Sequence, residues 1–253
     1  HVTAVIVGNE AIYRAEQNSA QIAAKVRSTR AALAQHGLGS IPVTTSETWP
    51  SYDQTLIDAV DFVNMHAFPF WEGISIDSAQ SKVFEHVYDL QRAAGNKTVA
   101  IGETGWPDAG GNYDAAVPSA KNEQRYMKEF VCRANLEKLR YVWFSAFDEA
   151  WKPTTNASSV EAHWGILRGD KSPKFPSPMY DCKGFVPSSS RNAKDDSSSE
   201  DASEDPMSDS EDSLKHVSAS HAGDSESSSA RHAAHALCAS AVAVIAWAAI
   251  AVL

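Results

Sequence analysis

Val5-Ile6-Val7-Gly8-Asn9-Glu10 and Val99-Ala100-Ile101-Gly102-Glu103-Thr104-Gly105-Trp106-Pro107 share one pattern. Each is a run of apolar, mostly β-branched residues, as in a strand buried on both faces, and each reaches a glycine before presenting a carboxylate where strand gives way to loop. Parallel β/α barrels display their reacting groups at the carboxyl ends of different strands, so glutamates 93 positions apart can face one another across one cleft. A single strand-terminal glutamate is more often solvated or ion-paired. Two on equivalent strand ends, one preceded by Asn9 and the other followed by an aromatic turn, point to chemistry.

Five strand–helix repeats contain these segments. Strands are expected at Val2–Val7, Ile41–Ser46, Asp61–His66, Thr98–Glu103 and Tyr141–Phe147. Ile22, Val26 and Leu33 recur near helical spacing and stop at Gly37, and Val83, Val87 and Leu90 do the same before Gly95. Tyr126 and Phe130 mark a third helix with Ser119 as its cap. Such alternation implies an α/β fold, a parallel sheet flanked by helices.

Glycoside hydrolysis is the chemistry that needs two such carboxylates: one protonates the leaving oxygen while the other attacks the sugar or activates water. Val7-Gly8-Asn9-Glu10 followed by Arg14, Ile101-Gly102-Glu103-Thr104-Gly105-Trp106-Pro107, and Phe144-Ser145-Ala146-Phe147-Asp148-Glu149-Ala150-Trp151-Lys152 resemble the signatures of glycoside hydrolase family 17. These are the glucan endo-1,3-β-glucosidases, and the likeness is strongest to the fungal and oomycete cell-wall branch. The resemblance spans roughly residues 1–183. It implies a (β/α)8 TIM barrel, a retaining mechanism with Glu10 as proton donor and Glu103 as nucleophile, and a β-glucan substrate. Because the family's proton donor ends strand 4 and its nucleophile strand 7, it also implies that only strands 4 to 8 are present in this chain.

Composition divides the chain into a partial barrel over residues 1–186, a disordered Ser/Asp/Glu-rich linker over 187–230 and a hydrophobic C-terminal segment over 231–253. The linker has eleven acidic residues against three basic ones and so accounts for most of the formal net charge of −10. With so few branched or aromatic residues it buries too little apolar area to offset ordering entropy. The part before Pro187 is nearly neutral, with 18 basic against 21 acidic residues, and has no basic stripe interleaved with aromatics, which excludes a nucleic-acid partner and suits a neutral polysaccharide.

Ala236–Leu253 is uncharged and apolar, and follows the more polar Arg231–His235 and the mostly small Ser225–Ala230. This is the layout of a glycosylphosphatidylinositol-anchor signal, which would place the protein at the cell surface or cell wall, on the outer leaflet of the plasma membrane. A stop-transfer helix is the alternative, against which stands the lack of Lys or Arg beyond the run. No initiator Met and no secretory signal precede the first strand. Together with the strand count, this leads to the expectation of an N-terminally truncated chain.

Around the two glutamates, Asn9 is placed to hydrogen-bond the sugar 2-hydroxyl, and Glu10 needs a raised pKa to hold its proton, which the second carboxylate would supply, while Glu103 stays ionised. The two carboxyl groups of a retaining enzyme stand about 5 to 5.5 Å apart. By the resemblance, Glu149 and Lys152 lie at the active site and hydrogen-bond substrate; a weak surface ion pair is the alternative. Arg14 also matches a family position and serves structure or function equally well. Phe68, Trp71 and Trp106 are the expected sugar-contacting aromatics, although such side chains also fill barrel interiors. His66, at a strand end, is a candidate donor to substrate or a structural group.

No metal site or cofactor is indicated, because the globular histidines are scattered and three cysteines do not make a zinc set. Cys132 and Cys182 form an expected disulfide, or else remain two buried thiols, with Cys238 lying in the apolar tail. Asn96-Lys97-Thr98 and Asn156-Ala157-Ser158 are acceptor sequons for N-glycosylation. Two competing functions share these residues. A glucan-remodelling transglycosylase passes the same intermediate to a sugar hydroxyl, and an inactive truncated wall protein would bind glucan without cleaving it.

Overall fold

The computed structural model describes residues 2–152, 159–176 and 179–187. Asn156, nearly all of the expected linker and the whole C-terminal segment lie outside the described residues. Five parallel strands, β1 (Val5–Asn9), β2 (Val43–Thr48), β3 (Val63–His66), β4 (Val99–Thr104) and β5 (Arg140–Trp143), pair strictly in chain order. The helices are α1 (Ser19–Gln35), α2 (Gln54–Ala59), α3 (Ile76–Ala94) and α4 (Ala120–Leu136). These are consecutive β/α units of the barrel architecture. Among the described residues no helix is long and apolar enough to cross a membrane.

Local chemistry sets the helix limits. Asn18 caps α1 through a reciprocal pair of bonds with Gln21, at 3.0 and 2.9 Å, and Ser119 accepts from the Asn122 N–H at 3.1 Å to open α4. Short α2 has no long apolar stripe and was not expected from sequence; it forms because Asp53 caps it through the Leu56 N–H.

The core lies between sheet and helices. Val83, Phe84 and Val87 of α3 and Tyr126 and Phe130 of α4 are fully buried, contributing about 1.5–3 kcal/mol per large side chain. Strands β2, β3 and β4 are buried almost throughout, whereas Ile6 of β1 and Val142 of β5 are exposed, because each edge strand has one partner among the described residues. Strand β5 also ends at Trp143 rather than Phe147. From Ser145 onward the backbone bonds to Trp164 and Leu167, which draws it out of the ladder.

Candidate active site

Each expected catalytic glutamate follows a local register slip at a glycine. On β1 the pairing passes from Ile6–Thr44 to Asn9–Ser46, and on β4 from Met65–Ile101 to His66–Glu103, so the glutamate-bearing strand carries one extra residue in both places. Bulges of this kind re-aim the side chain that follows. Gly8 takes a φ of +91°, which L side chains rarely adopt. Gly102 runs so close to β3 that an added Cβ would lie 2.7 Å from Asn64 Nδ2 and 3.0 Å from His66 Nε2.

The outcome is one convergent group. His66 Nδ1 is 2.9 Å from Glu10 Oε1 and 3.7 Å from Glu103 Oε2, and one donor atom from each of the three lies within 4.8 Å of the other two. The His66 side chain is 2% exposed and turned to the two carboxylates. These residue types also suit a metal ion, although His66 Nδ1 is already engaged by Glu10 at 2.9 Å.

Burial pushes the Glu103 carboxyl up to about 7; His66 and Lys152 pull it down, while Glu10 and Glu149 add to the rise. Sequence reasoning placed the need for a raised pKa on Glu10 and kept Glu103 ionised. The structure instead puts the heavier desolvation on Glu103, whose side chain is 11% exposed against 24% for Glu10.

Lys152 Nζ is 2.6 Å from Glu149 Oε2 and stands over the Phe144 ring at 4.6 Å, and both charges act on the Glu103 carboxyl. Arg14 is different: it pairs at 2.8 Å with Glu16 at an exposed position. Asn9 ends β1 on an exposed position next to Glu10. Asn96 is exposed in the turn between α3 and β4.

The aromatic residues separate by burial. Trp71, 38% exposed, lies against Tyr113 and Trp164, and the partly buried Phe68 packs edge-to-face with Phe144 and Trp164. Trp106 is a correction. It is fully buried, donates its indole N–H to the Val117 carbonyl at 3.0 Å and packs on Phe70 and Tyr126, so it belongs to the core that supports Glu103 and offers no face to a sugar.

Two features went unseen in the sequence. Glu47, on β2, is fully buried and holds the turn after Glu10; its strand-end position in Ser46-Glu47-Thr48 repeats the pattern of the other two glutamates and was a usable signal. The second is a buried ion cluster in which Lys174 Nζ stands 2.7 Å from Asp148, 2.9 Å from Asp108 and 3.6 Å from Glu123. Burial raises Glu123 to about 9, with Lys174 opposing and the two aspartates adding to the rise. Asp108, Asp148 and His163 present metal-like donors within 4.8 Å, but the Lys174 ammonium already serves as the cation there. Nothing local to residue 174 signals this role. Cys132 of α4 and Cys182 are joined as a disulfide that closes a 50-residue separation.

Comparison with known proteins agrees in both sequence and shape. The BtgE/BtgC glycoside hydrolase domain family matches residues 1–165. A glucan 1,3-beta-glucosidase of Saccharomyces cerevisiae is 30% identical over 191 residues, 69% of this chain and 61% of that protein. One from Candida albicans is 33% identical over 195 residues, 70% and 62% of the two chains. The crystal structure of a glycoside hydrolase family 17 beta-1,3-glucanosyltransferase from Rhizomucor miehei superposes with a TM-score of 0.62 at 34% identity, covering 71% of this chain and 63% of that one. The chain thus spans somewhat over six tenths of the length of these relatives.

Proposed function

The chain belongs to glycoside hydrolase family 17, in its BtgE/BtgC branch, and from that premise we propose that it cleaves 1,3-β-glucan by a retaining, two-carboxylate mechanism. One observation carries the reading: oxygens of Glu10 and Glu103, from two separate strand ends, lie within 4.8 Å of one another. That spacing supports direct attack, since an inverting enzyme holds its carboxyl groups roughly 6.5 to 9.5 Å apart to admit a water.

In this reading the Glu103 carboxylate attacks the anomeric carbon while Glu10 gives its proton to the departing glycosidic oxygen. Glu10 then takes a proton from water, which cleaves the glycosyl ester and restores both groups. His66 and Lys152 supply the positive charge that favours ionised Glu103. Asn9 is assigned to the sugar 2-hydroxyl, and Trp71 and Phe68 to the glucose rings, with Glu149 and Lys152 as polar contacts. The disulfide supports an oxidising compartment, hence secretion to the cell wall. Anchoring by a lipid at the C-terminal segment and glycosylation at Asn96 and Asn156 belong to the same proposal.

Hydrolysis of laminarin by the wild-type protein, lost in Glu103→Gln, is the test. Full activity in that variant refutes the nucleophile, and wild-type binding without cleavage favours a glucan-binding wall protein. The likeness to a glucanosyltransferase supports a second reading, transfer of the glycosyl group to a sugar hydroxyl. Oligosaccharides longer than the starting substrate would identify it.

A further inference from the structure

Glu10 lies at φ +51°, in the left-handed region, where a residue with a side chain is strained and persists only if its surroundings impose it. The turn closes on itself through the Arg14 N–H, which donates to the Glu10 carbonyl at 3.0 Å, and two further constraints come from β2. The Glu10 N–H donates to the Ser46 carbonyl at 2.8 Å. On the other side, the N–H groups of Ala11 and Ile12 donate to Glu47 Oε1 and Oε2 at 3.3 and 3.2 Å, and the Thr45 hydroxyl donates to Oε1 at 3.3 Å.

A carboxylate is an expensive choice for this place. Glu47 is 0% exposed, and a buried charge is strongly disfavoured unless hydrogen bonds replace its water. Burial accordingly pushes the Glu47 carboxyl up, while the Ile12 and Ala11 N–H groups and the Thr45 hydroxyl pull it back. What a carboxylate offers is two acceptor oxygens for two successive N–H groups, gripping the peptide units directly after Glu10. A hydroxyl or a single amide oxygen would hold one of them.

We infer that Glu47 is a positioning residue, whose bidentate grip on the Ala11 and Ile12 N–H groups aims the Glu10 carboxyl at the glycosidic oxygen. This rests on Glu10 being the acid/base proposed above. Misplacing a catalytic group by about 1 Å can cost about a hundredfold in rate. The loss should therefore fall on the protonation step and leave substrate affinity alone.

The experiment compares the full chain with its Glu47→Gln and Thr45→Val variants on two substrates. One is a laminari-oligosaccharide, whose leaving group must be protonated; the other is a 2,4-dinitrophenyl β-laminarioside, whose leaving group need not be. Glu47→Gln is expected to lower kcat on the oligosaccharide by roughly 10- to 100-fold with KM little changed, and glycosylation by the activated substrate by less than about threefold. Thr45→Val, which loosens the grip without breaking it, should shift both in the same sense and less, and it keeps the test open if the first variant fails to fold. Amide exchange at Ala11 and Ile12 should rise in both variants. Equal losses on the two substrates, or unchanged amide protection, would overturn the role of Glu47 alone. A wild-type chain inactive on both substrates would overturn the acid/base assignment of Glu10 and the positioning role with it.

Discussion

His66 and Glu103 are register partners on adjacent strands, and the extra residue in β4 brings them opposite each other. The imidazole thereby reaches both carboxylates, at 2.9 Å to Glu10 and 3.7 Å to Glu103. Both neighbours act on the Glu103 carboxyl, His66 lowering its pKa and Glu10 raising it, so the pH dependence of the site is read at Glu103.

The first consequence is the acid limb of the rate profile. A nucleophilic carboxylate must be ionised, and Glu103 is held up at about 7 by burial. The kcat/KM of the free enzyme on laminari-oligosaccharides is expected to rise with pH through a limb near 7. His66 lowers the Glu103 pKa, so His66→Gln should move the limb to higher pH. A wild-type limb at the usual glutamate value near 4.5 would contradict the assignment.

Lys152 and Glu149 act on the same group with opposite sign. Lys152→Met should move the acid limb up and Glu149→Gln should move it down, read from the same pH profiles. Parallel shifts in the two variants would show that the pair acts by holding the loop's shape and not by its charges.

Glu123 makes stability depend on pH. Its folded pKa, raised to about 9, exceeds the ordinary 4.5, so between those values the folded protein keeps a proton that the unfolded chain releases. Stability from this group is present in full below 4.5 and is lost as pH rises towards 9. Glu123→Gln imitates the protonated form at every pH. It should raise Tm at pH 8 by roughly 3 to 6 °C, equivalent to about 1–2 kcal/mol, and leave Tm at pH 4.5 nearly unchanged, as measured by calorimetry. A larger gain at the lower pH would refute the account.

The Cys132–Cys182 bond closes a separation of 50 residues, which by chain entropy stabilises the fold by about 4 kcal/mol, with strain and residual structure reducing the measured value. Replacing both cysteines by serine should lower the unfolding free energy by about 2–4 kcal/mol in denaturant titrations. Reductant should destabilise the wild type by a similar amount and leave the double variant unaffected.

Much of this was legible before folding because its causes are local. Caps such as Ser119, helix stops at Gly37 and Gly95, and the apolar runs that end at Gly8 and Gly102 follow from a few neighbouring residues, and the carboxylate after each glycine marked both Glu10 and Glu103. Tertiary packing decided the rest. Trp106 follows Glu103 in sequence, yet Phe70 and Tyr126 close over its ring; Glu47 became a grip on the turn after Glu10 only when β2 was set beside β1; and Lys174 acquired its three carboxylates from distant parts of the chain. Helix caps depend on bonds within one turn of chain, whereas the end of β5, set by Trp164 and Leu167, and the burial of a ring or a charge depend on neighbours that sequence distance conceals.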